Sequence, residues 1–468
     1  MGILLSPSSI ESAVTGCAVR AWNDVKRAFL RTDKTQILLR GTLASLMVRV
    51  CGLGLRFLLG IILARLLRVS AYGVYAYAVT WLGLLTIPAM LGLDQVLLRY
   101  VAVYKETRSW ALLKGLLQFS LLVGAAAATI VSLVSIAVVA VLWQKDWDFR
   151  VTMWITLAVL PIVVLAQLRQ SSLRGLDRPG TAQLPENLIY PGLVITFVTA
   201  TYFTQATPLT VPQAASLNAA AWLLVFLVGT TFLVRSLPEP LKASQRRYDR
   251  TAWLGMVPHL IFSAGAYQIL SRADIVILGA LRSSQEVGLY AVASRAAELM
   301  LFIYDTVTLA GAPIFSSIYV SGDRHELQRF TRLATRTIFW LSLPLYAVLI
   351  FFAPWFLSFF GVEFVNGANV MRLLATTFFL SSSSGFVHLM LYTAGYQREV
   401  AIAMGITAAL NVGLCLLLVP FYGMLGAALA SGTSLLALKG SLVFVLYKKV
   451  GIVALPFVAA ARRERATC

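Results

Sequence analysis

The chain has 468 residues, of which 59% are hydrophobic and only 13% charged. A water-soluble domain carries about a quarter charged residues, and a mean hydropathy of +0.80 points the same way, so lipid is the solvent for most of this surface and a soluble enzyme is excluded. The formal net charge of +19 is assigned to cytoplasmic loops, where lysine and arginine collect, rather than to nucleic acid.

The opening MGILLSPSSIESAVTG has no basic start followed by a long apolar run, so no cleavable signal peptide is expected. The stretch AVRAWNDVKRAFLR that follows reads either as a short basic helix on the membrane surface or as a solvated tail. Cys17, Cys51, Cys415 and Cys468 show no metal spacing and read as free thiols. A spanning helix needs about 20 mainly apolar residues. Charge-free windows, split at turn signals, predict spans near 41–64, 73–93, 115–143, 151–173, 182–203 and 214–234. The second set lies near 252–274, 288–318, 333–358, 370–395, 399–419 and 424–447. The polar TQATPLTVPQ at 204–213 and the Pro420–Gly423 turn divide two runs that are too long for one crossing.

The fold class expected is an all-α integral membrane protein of 12 transmembrane helices. Its parts are a tail over 1–36, a six-helix bundle over 37–237, a basic linker over 238–250, a second bundle over 251–448 and a basic tail over 449–468. With the N-terminus inside, 28 of the 39 lysines and arginines fall in cytoplasmic tails and loops. Five lie on the other side (Arg65, Arg68, Lys145, Arg150 and Arg282), and Arg49, Arg56, Arg272, Arg295, Arg372 and Lys439 fall within spans. The asymmetry predicts that both termini face the cytoplasm. Outer loops are short, which argues against a membrane polymerase or ligase with an external catalytic domain.

An internal repeat relates ARLLRVSAYGVYAYA at 64–78 to GALRSSQEVGLYAVA at 279–293. A constant offset of 215 pairs Leu66, Gly73, Tyr75, Ala76 and Ala78 with Leu281, Gly288, Tyr290, Ala291 and Ala293. A duplicated six-helix unit enters the membrane twice in the same direction, and transporters built on such parallel repeats hold substrate between the halves.

Charges inside spans cost about 2.5–3.5 kcal/mol each at mid-helix, so they are the functional candidates. Thr42, Ser45, Arg49, Gly52 and Arg56 share one helix face. Arg49 and Arg56 either line a central cavity or are snorkelling or carboxylate-paired cations. Arg295, Glu298 and Asp305 share a face of the eighth span; Arg295 and Glu298 either pair with each other or serve a cavity, and Glu298 or Asp305 is a candidate for a coupling proton or Na⁺. Arg272 with Asp274 reads first as an interfacial anchor. Lys439 reads as snorkelling or cavity-facing, His388 as a packed hydrogen-bonder or a substrate contact, and Asp94 with Arg99 as a local ion pair or gate. Ser381, Ser384, His388 and Tyr392 are placed on one face of the tenth span. The excess is cationic, which favours an anionic substrate such as a diphosphate headgroup. No Gly-rich phosphate loop is present in the sequence, so direct ATP use is not expected.

The runs RGTLASLMVRVCGLGLRFLLGIILARLLRVSAYGVYAYAV, LGLDQVLLRYVAVY, LRGLDRPGTAQLPENLIYPGL and VGLYAVASRAAEL resemble the oligosaccharide (Wzx-like) flippases of the multidrug/oligosaccharidyl-lipid/polysaccharide exporter superfamily. The resemblance extends from about residue 37 to 448. It implies two six-helix bundles around a V-shaped cationic cavity. It also implies transfer of a polyprenyl-diphosphate-linked oligosaccharide to the outer leaflet of a bacterial inner membrane, for surface polysaccharides such as O-antigen or exopolysaccharide. By position, Arg49, Arg56 and Arg295 are the substrate-binding candidates, with Arg272, Lys439 and His388 beside them and Glu298, Asp305 and Asp94 as coupling or gating groups. No cofactor or metal is expected beyond an open question of Na⁺ or H⁺ coupling. The expected partners are membrane lipids and a polysaccharide polymerase, around a monomer. A multidrug cation antiporter and a Lipid II flippase are the rivals within the superfamily; the latter usually carry two further helices.

Overall fold

The computed structural model describes residues 33–142, 146–204, 208–255 and 257–454. Expectations for the N-terminal tail and its basic stretch, for Cys17 and Cys468, and for the end of the C-terminal tail lie outside the described residues. The described residues form helices and no strand. In chain order they are α1 (Asp33–Met90), α2 (Leu93–Glu106), α3 (Trp110–Leu142), α4 (Trp147–Ala158), α5 (Leu160–Gly175), α6 (Pro179–Leu184), a π turn (Pro185–Ile189), α7 (Tyr190–Thr204), α8 (Val211–Ser236), α9 (Glu239–Ala243) and α10 (Arg250–Gly255). The second half continues with α11 (Val257–Leu281), α12 (Ser284–Ser321), α13 (Arg324–Phe351), α14 (Ala353–Ser358), a 3-10 turn (Val362–Gly367), α15 (Ala368–Ser382), α16 (Val387–Thr393) and α17 (Gln397–Val450).

Eight helices among the described residues are long and apolar enough to cross a membrane. Two of these runs bend sharply and are each two helices: α1 at Arg68 (φ 61°) and α17 at Gly423 (φ 53°). The α6–α7 run and α11 are further helical segments, and the whole is consistent with twelve crossings. The predicted turn at Pro420–Gly423 is where α17 breaks, because proline removes a backbone donor and glycine accepts the left-handed conformation. Helix ends run past several predicted spans. Ser283 accepts the Glu286 amide at the start of α12 (3.3 Å), and Asp323 accepts from His325 and Glu326 at the start of α13 (2.9 and 3.0 Å). These caps sit in polar sequence, so the helices begin outside the apolar windows.

The predicted tenth span is not one helix. It breaks between α15 and α16, where Ser382 and Ser383 both donate to Phe379 O (3.0 and 2.7 Å), Ser384 donates to Ser381 O (2.7 Å), and Gly385 takes φ 64°. Serine hydroxyls compete for the helix carbonyls, and a glycine then permits the turn.

The core explains the shape. One buried cluster joins both halves at the end predicted to lie outside; it contains Leu63, Tyr72, Tyr75, Tyr290, Met300 and Phe364. Towards the other end it gives way to two separate clusters. One, around Leu93 and Val164, belongs to the first half and takes in Trp253 from the start of the second bundle; the other, around Phe315, Phe386 and Leu442, belongs to the second. Two halves fused at one end and separately packed at the other enclose a V.

The seam follows the repeat. A Cβ on Gly73 would lie 2.9 Å from Gly288 N and 2.8 Å from the carbonyl carbon of Ser284. A Cβ on Gly288 would lie 3.2 Å from Gly73 N and 3.2 Å from the carbonyl carbon of Val69. Val69 and Ser284 are themselves separated by the offset that relates Gly73 to Gly288. Each half therefore presents the same surface to the other, the signature of a two-fold axis between them. Phe57 packs edge-on against Phe360 (5.3 Å), Tyr72 against Phe364 (5.9 Å), and Arg65 donates to Phe359 O (2.7 Å), closing the same end. The segment between the halves is tied to α3: Arg247 N donates to Ala111 O (3.1 Å) and Lys114 to Ser244 O (2.9 Å).

Candidate functional site

The face of α1 that carries Arg49, Gly52 and Arg56 turns towards the π turn and the helix before it. Gly52 is the point of closest approach, since a Cβ there would lie 2.8 Å from Asn187 O. That approach brings Gln183 to Arg49 (Nε to Oε1, 3.0 Å) and Asn187 to Arg56 (Nη2 to Oδ1, 2.7 Å). Arg56 also donates to Glu186 O (3.3 Å). Pro185 removes one backbone donor from this run and Tyr190 N bonds back to Pro185 O, which widens the helix to a π turn. The widening presents successive residues, Glu186 and Asn187, to different neighbours.

Glu186 offers Arg56 its backbone oxygen, while its side chain enters a buried ion pair with Arg169. Arg169 also donates to the carbonyls of Val225 and Phe226 (3.2 and 3.0 Å), and Gly229 leaves the room it occupies. Arg169 was not among the six cations predicted inside the membrane; it is 2% exposed. The consequence is electrostatic. Arg49 and Arg56 hold neutral amide and carbonyl oxygens, and the nearby carboxylate is already taken. Among the described residues neither forms an ion pair, which rejects the carboxylate-paired reading.

Arg295 stands opposite. A Cβ on Gly60, one turn beyond Arg56, would lie 3.5 Å from its Nη1. Arg295 is within electrostatic reach of Arg56, Tyr72, Tyr75 and Tyr190. Of the two readings for Arg295 and Glu298, the pairing one is not formed: among the described residues Glu298 pairs with Arg272 across 3.7 Å. On a helix Arg295 and Glu298 are neighbours, but the Arg295 side chain runs to the seam between halves and leaves Glu298 to α11. Asp274 is not an interfacial anchor either. It is buried and accepts from Tyr290 OH (2.5 Å), Ser431 Oγ (3.0 Å) and Ile275 N (2.8 Å).

The remaining candidates converge. Arg272, Glu298, Asp305, His388 and Lys439 line one cavity of about 860 Å³ in the second half, which Leu53 of α1 also reaches. Lys439 Nζ lies 3.3 Å from Tyr304 OH and 4.5 Å from the centre of its ring, and His388 stacks on Tyr392 at 4.9 Å. Of the predicted serine face, Ser381 lines this cavity; Ser384 lies in the break and is buried. Asp94 lies apart, in a smaller cavity of about 290 Å³ with Gln167. Tyr267 and Gln268 line both, and Gln268 donates to Gly83 O across the halves (3.2 Å). Asp94 accepts from Gln95 (2.8 Å), and Arg99 lies over the Tyr100 ring. Arg49 and Lys439 both act electrostatically on Asp305, so the two groups of residues share one field. Among the described residues no cluster of histidine, cysteine and carboxylate suits a metal ion.

A family model described as polysaccharide biosynthesis protein matches residues 62–366. The chain belongs to the polysaccharide biosynthesis protein family. It is 25% identical over 408 residues, 85% of this chain and 81% of the relative, to the probable low-salt glycan biosynthesis flippase Agl15 of Haloferax volcanii. An inward-facing multidrug resistance MATE transporter superposes with a TM-score of 0.69 at 16% identity, covering 87% of this chain and 98% of that one. The Lipid II flippase MurJ, in an inward closed conformation, gives 0.65 at 15% identity, covering 87% of each chain. These structures share the fold, that of the exporter superfamily expected from the sequence. The family member described here is a multi-pass membrane protein.

Proposed function

We propose that this protein flips a polyprenyl-diphosphate-linked oligosaccharide from the cytoplasmic to the outer leaflet of the cytoplasmic membrane by alternating access. The observation that carries the reading is the set Arg49, Arg56 and Arg295 near the apex of the V, two of them oriented by neutral partners while Arg169 occupies Glu186. Guanidinium groups meet phosphate oxygens in matching planar geometry. With the V open to the cytoplasm and the outer end closed by the Gly73–Gly288 seam, a diphosphate enters from inside and meets these groups at the closed end. The headgroup carries about two negative charges, so leaving a negative interior gains about 4–5 kcal/mol per 100 mV, from about 2.3 per charge. The relative's description as a glycan biosynthesis flippase supports the same substrate class. An organic-cation antiporter fits less well, because Arg272 neutralises Glu298 and the apex is cationic.

The test is complementation of a deletion strain. The double variant Arg49→Ala, Arg56→Ala is expected to abolish export and single lysine replacements to retain part of it. Wild-type export by the double variant would overturn the assignment.

A further inference from the structure

The second-half cavity raises a separate question, because the diphosphate reading uses the arginines at the apex and leaves this space unassigned. Its volume of about 860 Å³ is that of a ligand pocket, typically ~300–1,000 Å³. Its walls combine the rings of Tyr267, Tyr304 and Tyr392 with polar groups from five helices. Most of those polar groups are engaged: Arg272 with Glu298, Lys439 with Tyr304, Gln268 with Gly83 O, Asp274 with Tyr290 and Ser431. Asp305 differs. It is exposed on the cavity wall and, among the described residues, has no hydrogen bond or ion pair.

Resting on the flippase reading, we propose that this cavity is the glycan subsite, and that Asp305 selects the cargo by accepting hydrogen bonds from hydroxyl or amide groups of a sugar near the diphosphate. A carboxylate with free acceptor sites suits a pair of neighbouring hydroxyls, and tyrosine offers a flat apolar face with a polar tip to a sugar ring. A site built to bond a donor discriminates against a ligand without it, because the acceptor is then left unpaired. Arg49 and Arg56 of α1, with Arg295 of α12, take the diphosphate, while the cavity walls from α11, α12, α15, α16 and α17 take the sugar, with Leu53 where the two meet.

The experiment measures binding to the full-length protein in nanodiscs with two probes. One is synthetic undecaprenyl diphosphate without sugar; the other is the lipid-linked glycan pool extracted from a strain lacking this protein. Asp305→Asn, an isosteric change, is expected to weaken binding of the glycan pool ~10-fold and to leave binding of the bare diphosphate as in wild type. Thr308→Trp, which fills the cavity beside it, is expected to give the same selective loss. Retained diphosphate binding reports that both variants are folded. Glycan binding unchanged in both variants, or equal loss of both probes, overturns the subsite. Wild-type binding of both probes by Arg56→Ala instead overturns the flippase reading, so the two failures are distinct.

Discussion

Substituting Gly288 by alanine tests whether the end of the molecule predicted to face outside is a gate. The added Cβ would lie 3.2 Å from Gly73 N and 3.2 Å from the carbonyl carbon of Val69, and closer still to the Val69 oxygen, at a spacing real side chains do not show. Both neighbours are backbone, so no side chain can swing away and the two halves must separate locally. Overpacking of this kind costs about 1–3 kcal/mol, and here the cost falls on the state with the seam closed. A shift of that size changes the ratio of closed to open states by about 5- to 150-fold. The assay is maleimide labelling, from the outside of intact cells, of a cysteine placed at Phe57, which packs against Phe360 beneath the seam. Labelling is expected to rise in Gly288→Ala and, by the same geometry, in Gly73→Ala. Labelling equal to the parent in both alanine variants, with protein levels also equal, would refute the seam as a gate.

Removing Glu186 as alanine leaves the Arg169 guanidinium buried without its carboxylate, a change that costs about 3–5 kcal/mol; a lowered melting temperature in detergent is the expected result, and an unchanged one refutes the structural role. Replacing both Arg169 and Glu186 by leucine is expected to recover part of that stability, measured in the same melt, because the unpaired charge is gone. Asn187→Ala keeps the ion pair and removes the oxygen that Arg56 holds at 2.7 Å. Export is expected to fall with little change in melting temperature, and a matching loss of both would count against a positioning role.

The apolar crossings and the duplicated unit were legible because each leaves a periodic or repeated mark; that Gly73 and Gly288 meet at a seam was not. Apolar windows reported the spans, and the offset between Gly73 and Gly288 reported the two-fold relation before any contact was known. Arg49, Arg56 and Arg295 stood out because charge in an apolar helix is costly. What the sequence did not show was pairing. Arg295 lies one turn from Glu298, yet Glu298 goes to Arg272 on another helix, a choice made by side-chain direction in three dimensions. Arg169 and Glu186 lie at the edges of their apolar windows and passed as boundary charges. The signal that could have found them was Pro185 followed by Glu186 and Asn187 inside a predicted span, where a proline and two polar groups have no reason to sit unless something holds them. Asp274 was misread for the same reason, since its partners Tyr290 and Ser431 come from two other helices. The break at Ser381–Gly385 was legible in retrospect, as four serines before a glycine weaken any helix.

Directional movement of a lipid-linked glycan is read most directly from the leaflet distribution of that glycan in a deletion strain, assayed with an impermeant lectin or glycosidase before and after the wild-type gene is restored. The glycan is expected to accumulate facing the cytoplasm without the protein, and to reach the outer face when the protein returns, but not when Arg49→Ala, Arg56→Ala is supplied. A glycan that reaches the outer face in the absence of the protein would contradict this expectation.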